Sequence, residues 1–197
     1  MLARSRRLIV AAPLALAIGL AGCGSDAPAV TALPRTEVTA KLAEPAPAAL
    51  SAEAKRLEGA AGTVLPGSGK EAETQLDAVL AKLKGTPVVV NLWGDWCVPC
   101  KKELPIFQRV ALAQRGKIVF LGVATLSNRG KSEAYLQDKI ALPYPSLLDD
   151  PGDLNRGTGI DSVPKTFFYD QGHKRYVHQG PYETEADLET DLRRYAG

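Results

Sequence analysis

One stretch constrains this chain more than any other: Val88-Val89-Val90-Asn91-Leu92-Trp93-Gly94-Asp95-Trp96-Cys97-Val98-Pro99-Cys100. Its apolar run, Val88 to Leu92, predicts a strand buried on both faces. After Cys100, Leu104, Phe107 and Ala111 recur at helical spacing, so the cysteine pair opens a helix and Cys100 lies on its inner stripe. Two thiols three positions apart at a helix start can close a disulfide with little backbone movement. The unpaired N–H groups and the dipole there stabilise a thiolate on the first sulfur, which makes Cys97 the nucleophile. The buried Cys100 is then the resolving thiol. Exchange runs by attack of Cys97 on a substrate disulfide, followed by attack of Cys100 on the mixed disulfide.

The pattern around this stretch predicts one domain over residues 68–197. Leu76, Val79, Leu80 and Leu83 recur at i, i+3, i+4 and i+7, an amphipathic helix that ends at Gly85. The helix over 97–115 carries Pro105 in its interior, where a kink is expected. Ile118–Val123 reads as a second buried strand, Ser132–Lys139 as a helix and Ser146–Leu148 as a short extended piece. Strands Thr166–Tyr169 and Arg175–Gln179 flank Gln171-Gly172, a hairpin turn. A helix over Glu183–Tyr195 closes the chain, with acids early and Arg193-Arg194 in its last turn. This order predicts an α/β fold: a central mixed β-sheet flanked by helices.

Upstream, Arg4, Arg6 and Arg7 precede an uncharged run, Leu8 to Ala21, too short for a spanning helix. It ends in Leu20-Ala21-Gly22-Cys23, which resembles a bacterial lipobox. Residues 1–22 are thus expected to be a lipoprotein signal peptide, and Cys23 the lipidated residue. Residues 23–67, rich in Ala and Pro, read as a flexible linker in which Ser51–Glu58 allows a short helix. The net charge of +2 falls to −1 once the three arginines of the signal are removed. Nucleic-acid binding is not expected at that charge. The three cysteines divide into one for lipid and two for electrons.

A cysteine pair at this spacing is also half of a zinc site. The other half would have to come from His173 and His178, five apart and on opposite faces if they share one strand. A tethered metal-binding or adaptor module is therefore the alternative of another class. A static structural disulfide is a third reading. The preferred one needs no metal and no cofactor beyond the Cys97–Cys100 disulfide.

Val88 to Cys100 resembles the thioredoxin superfamily, and within it the exported TlpA/ResA-like branch of membrane-tethered thiol–disulfide oxidoreductases. The likeness continues through Lys101-Lys102-Glu103-Leu104-Pro105 and Val163-Pro164-Lys165-Thr166-Phe167-Phe168. It implies a thioredoxin fold. Pro164 matches the family's cis-proline, with the backbone of Val163 left to pair with substrate. Trp96 and Pro99 would join the docking surface, and Trp93 would pack. Asn91 stands where cytoplasmic thioredoxins carry a buried acid. Glu103 matches an acid linked to active-site thiol behaviour in the branch, and its spacing puts it at the edge of the apolar stripe, where desolvation raises a carboxyl pKa. It would tune or relay the proton of Cys100; the bland reading is a solvated helix-start acid. The resemblance further implies a monomeric reductase, lipid-anchored to a bacterial cell membrane with its domain on the extracytoplasmic side. A transmembrane thiol carrier would supply electrons, and exported disulfide proteins, apocytochrome c among them, would receive them. An oxidant or isomerase stays open. The hairpin that many members carry before the core is not apparent.

Overall fold

The computed structural model describes residues 29–46, 50–67, 70–157, 159 and 162–197. Cys23 and the expected signal peptide lie outside these residues. A five-stranded sheet runs in the order β3-β2-β1-β4-β5, with β1 (Val88–Trp93), β2 (Val119–Thr125), β3 (Ser146–Asp149), β4 (Lys165–Asp170) and β5 (His173–Gln179). The β1–β2 and β2–β3 pairs are parallel, while β1–β4 and β4–β5 are antiparallel. The sheet is mixed, as the element order predicts.

Strand periodicity sorts the core into two layers. Val89 and Trp93 of β1 join Phe120, Ala124 and Phe168 on one face. Val88, Val90 and Leu92 join Leu121, Val123, Phe167 and Tyr169 on the other. Every residue of β1 is buried, so the central strand is covered on both sides and reads as a continuous apolar run. Helices α4 (Val98–Ala113) and α7 (Glu185–Tyr195) supply Leu104, Phe107, Leu188 and Leu192 to the first layer. Helix α3 (Lys70–Lys82) supplies Leu76, Val79 and Leu80 to the second. Helix α4 runs through Pro105; that residue has no N–H to give the carbonyl of Lys101. Between β2 and β3 lies α5 (Arg129–Asp138), and α6 (Asp153–Arg156) follows β3. The hairpin turn is where the sequence places it, with Gln171 at φ 51 and Gly172 at φ 80, the left-handed pair that a two-residue turn requires.

The linker expectation for 23–67 is corrected by its described residues, which are ordered against the domain. Helix α1 (Arg35–Ala43) starts after Pro34 and stops before Pro45, as proline permits at helix boundaries. Helix α2 (Ala52–Gly59) is capped by Ser51, whose Oγ accepts from Ala54 N. It buries Ala54 and Leu57 in the second layer. Val64 then pairs with Ser146 in a parallel bridge, so residues 63–65 cover the outer edge of β3.

Side chains far along the chain hold this arm by its backbone. Arg115 uses all five of its N–H donors: two reach Glu58 at 2.7 Å each, and three reach the carbonyls of Lys41, Leu42 and Glu44 at 2.9, 2.9 and 2.5 Å. Arg129 donates to the carbonyls of Val64, Leu65 and Gly67. The buried Gln108 exchanges hydrogen bonds with the backbone of Leu33. An Arg115→Ala variant is expected to lose about 2–4 kcal/mol, because Glu58 is left without its partner and three carbonyls lose their donors. Arg115→Lys should rescue little, since one ammonium cannot span the fork. Denaturant melts together with protease cleavage within 35–59 check both.

Candidate active site

Cys97 and Cys100 form a disulfide with their Cα atoms 5.3 Å apart. Cys97 is the N-cap of α4, and its Sγ accepts from Cys100 N at 3.2 Å. A helix-start N–H therefore points at this sulfur, the arrangement that favours a thiolate once the disulfide is reduced. Pro99 sits in the first turn, where its missing N–H costs nothing. Cys97 is 3% exposed and Cys100 0%. The two sulfurs are thus graded in depth, with only the first near solvent.

Three elements close around the pair. The Val163–Pro164 peptide is cis, and the carbonyl oxygen of Val163 lies 3.9 Å from Cys97 Sγ. Pro164 is buried and Val163 half-buried. Trp96 folds back over Gly94, where a Cβ would stand 2.6 Å from its Nε1, and donates to the carbonyl of Thr125 at 3.4 Å. Its ring is half exposed. Trp93 is buried and donates to Ser146 Oγ at 3.1 Å.

Glu103 is not at the edge of the stripe, as its spacing predicts, but fully buried. Its Oε1 accepts from Asn91 Nδ2 at 2.8 Å and its Oε2 from the backbone N–H of Tyr182 at 3.0 Å. The loop after β5 supplies that second donor and closes over the carboxyl, which is why helical spacing alone misjudges the depth. Burial pushes the pKa from 4.5 up to about 8, against the pull of the Tyr182 and Asn91 hydrogen bonds, with Glu183 adding to the rise. Asn91 Oδ1 has no partner of its own. Turned over, the same amide would accept from a protonated Glu103, so it can serve both forms of the acid.

Sequence reasoning missed Tyr182 and the buried Lys165. The Lys165 Nζ donates to Asn155 Oδ1 at 2.7 Å and to its carbonyl at 3.2 Å. It thereby ties α6 to the start of β4, one residue past the cis bond. A lysine next to the proline of a Val-Pro-x-Thr-Phe segment was the available signal. The histidine geometry is also corrected. A register shift between Phe168 and Tyr169 adds a residue to β5, so His173 and His178 pair with Asp170 and Thr166, which share a face. His178 meets Asp191, Nδ1 to Oδ2 at 3.3 Å, and stacks on Tyr182. Among the described residues, no group of three or more His, Cys, Asp or Glu could hold a metal ion.

The chain is similar to several known proteins. The chain is 32% identical over 106 residues to the sporulation thiol-disulfide oxidoreductase A of Bacillus subtilis, covering 52% of this chain and 64% of that protein. It is 31% identical over 91 residues to the thiol:disulfide interchange protein DsbE of Pseudomonas fluorescens, covering 46% of this chain and 49% of that one. The chain thus spans less than two thirds of these relatives. Among solved structures, the pneumococcal exposed lipoprotein thioredoxin of Streptococcus pneumoniae matches with a TM-score of 0.52 and 26% identity, over 58% of this chain and 89% of that one. The AhpC/TSA family model matches residues 63–176, more than half of the sequence and all of β1 to β4, and the chain belongs to that family.

Proposed function

We propose that the chain is a thiol–disulfide oxidoreductase that works through Cys97 and Cys100. The observation that carries this reading is a disulfide whose outer sulfur caps a helix beside a cis-proline loop. The relatives named above, a thiol-disulfide oxidoreductase and a thiol:disulfide interchange protein, support it. Cys97 attacks, Cys100 resolves, and Glu103 exchanges the proton that Cys100 must lose. Trp96, Pro99, Val163 and Pro164 contact the substrate.

The reading extends to a reductase of the bacterial envelope, cleaved after residue 22 and anchored through lipid on Cys23. A transmembrane thiol carrier would recharge it, and exported disulfide proteins, with apocytochrome c as one candidate, would be reduced. Among the described residues, no helix is long and apolar enough to cross a membrane. Val30 and Ala32 pack against the core. Only six residues, 24–29, then separate Cys23 from the docked arm, a reach of about 25 Å when extended. The anchor would therefore hold the domain close to the membrane. Thiol trapping in intact cells tests the direction: Cys97 and Cys100 are expected mainly reduced, and a mainly oxidised pair would make the protein an oxidant.

A further inference from the structure

Residues 180–184 join β5 to α7 and close over the buried Glu103. At one end, Gly180 N donates to the carbonyl of Pro164 at 3.0 Å, so the loop starts on the cis-proline. Gly180 has φ +92, a backbone turn that a side chain would strain. At the other end Thr184 caps α7, its Oγ1 accepting from Asp187 N at 3.2 Å. Between these ends only Tyr182 is buried, and its N–H is the one that reaches Glu103 Oε2 at 3.0 Å.

The side chain of Tyr182 is held from three sides. Its ring stacks on His178 of β5, with centroids 4.0 Å apart. It meets Phe107 of α4 edge-on at 5.8 Å, one helical turn past Glu103. Its hydroxyl donates to Asp191 Oδ2 on α7 at 2.7 Å, and the same oxygen lies 3.3 Å from His178 Nδ1. One carboxylate thus ties α7 and β5 to the loop that covers the acid. Apolar contact is non-directional and lets a ring slide. A hydrogen bond to a carboxylate is short and directional, and it fixes the ring and the backbone that carries it. Asp191 therefore acts on Glu103 through Tyr182.

We propose that Tyr182 and Asp191 are positioning residues for the exchange reaction: their hydrogen bond locks the 180–184 loop and keeps water from the Glu103 carboxyl. This rests on the reading of Glu103 as the group that exchanges the Cys100 proton. In that step the Cys100 thiol gives its proton to the Glu103 carboxylate and the Cys100 sulfur bonds to Cys97. The mixed disulfide breaks, and the departing substrate thiolate takes up a proton from solvent. The groups facing Glu103 are Asn91 from β1, the Tyr182 N–H and the Glu183 carboxylate from the loop, and Tyr144 from the segment before β3; Cys100 lies on the same helix. Burial is the largest cause of the raised pKa and Glu183 adds to it, while the Tyr182 and Asn91 hydrogen bonds oppose it. Freeing the loop removes both raising causes and only one of the opposing bonds, so the pKa falls towards the ordinary carboxyl value.

The test follows Glu103 itself. In the oxidised protein the two cysteines do not titrate, so the Glu103 carboxyl carbon can be read by NMR of glutamate-labelled protein, with Glu103→Gln giving the assignment. Wild type is expected to titrate at about 8. Tyr182→Phe keeps the ring and removes the hydroxyl, and Asp191→Ala removes its acceptor. Each should lower the midpoint by about 1 pH unit. Asp191→Asn keeps an oxygen for the hydroxyl and should retain the wild-type midpoint. In the reduced protein, resolution of a Cys97 mixed disulfide with glutathione should shift its pH profile in the same direction. A wild-type midpoint in both Tyr182→Phe and Asp191→Ala would overturn the proposal, even if their melting temperatures fall. So would Asp191→Asn behaving like Asp191→Ala. A lowered midpoint with an unshifted resolution profile would overturn the proton role of Glu103 and the positioning role with it, leaving Cys97 and Cys100 as the exchanging pair. Wild-type protein that exchanges no disulfide would overturn the exchange reading itself.

Discussion

A Cys97→Ser variant is expected to lose disulfide exchange by at least roughly 10³-fold on every substrate, since a hydroxyl cannot replace the attacking thiolate. Cys100→Ser should fail differently, by accumulating Cys97 in a mixed disulfide with its partner. The geometry supports the two proposed roles. Cys97 Sγ accepts the N–H of Cys100 at the head of α4, so helix-start polarity acts on that sulfur. Cys100 is fully buried and can meet a substrate sulfur only after Cys97 has bound it. Mass spectrometry of the Cys100→Ser protein after exposure to exported disulfide proteins reads the outcome and names the partner. Adducts that survive in Cys97→Ser, or form on Cys100 instead, would reverse the assignment.

The second large effect concerns Glu103 and is read by pH. The carboxyl ionises near 4.5 in the unfolded chain and at about 8 in the folded protein, mainly because of burial. Between those values the folded state holds a proton that the unfolded state has released. Stability is therefore full below about pH 4.5 and falls as pH rises towards 8, by up to roughly 5 kcal/mol for one proton over that window. Glu103→Gln removes the titration. It also puts an amide N–H₂ in place of one carboxyl oxygen: Asn91, turned over, accepts one N–H while Tyr182 N keeps the remaining oxygen, and the second N–H is left without an acceptor, a cost of about 1–3 kcal/mol. The stability curves of the two oxidised proteins should cross: wild type ahead at pH 5, the variant ahead at pH 9. Parallel curves would show that Glu103 does not titrate in this window. The same variant should flatten the pH dependence of mixed-disulfide resolution if the acid exchanges the Cys100 proton. Unchanged resolution kinetics would leave Glu103 a structural residue.

The parts that were legible in the sequence are those set by neighbours along the chain. The apolar run of β1, the stripe Cys100, Leu104, Phe107 and Ala111 on α4, the Gln171-Gly172 turn and the basic end of α7 all follow from backbone periodicity and local sterics. The cysteine pair at the start of α4 belongs with them, because helix-start N–H groups act on a sulfur only a few atoms away. The docking of the arm over 30–67 was not legible, although its helix α2 lies where Ser51–Glu58 allows one. Its alanines and prolines describe a linker, and what holds it down are donors on Gln108, Arg109, Arg115 and Arg129 reaching backbone carbonyls. Every residue has a carbonyl, so composition cannot mark the ones that will be used.

The depth of Glu103 was hidden for a related reason. Helical spacing fixes the direction of a side chain, and the loop that carries Tyr182 decides whether that direction ends in water. The shared face of His173 and His178 likewise comes from a bulge that strand periodicity does not register. The sequence by itself determined the elements, their order and the reactive pair, because each depends on contacts a few residues apart. The tertiary structure alone decided which backbone the arginines clasp and how deep the acid lies. Those outcomes depend on segments that meet only when the chain has closed.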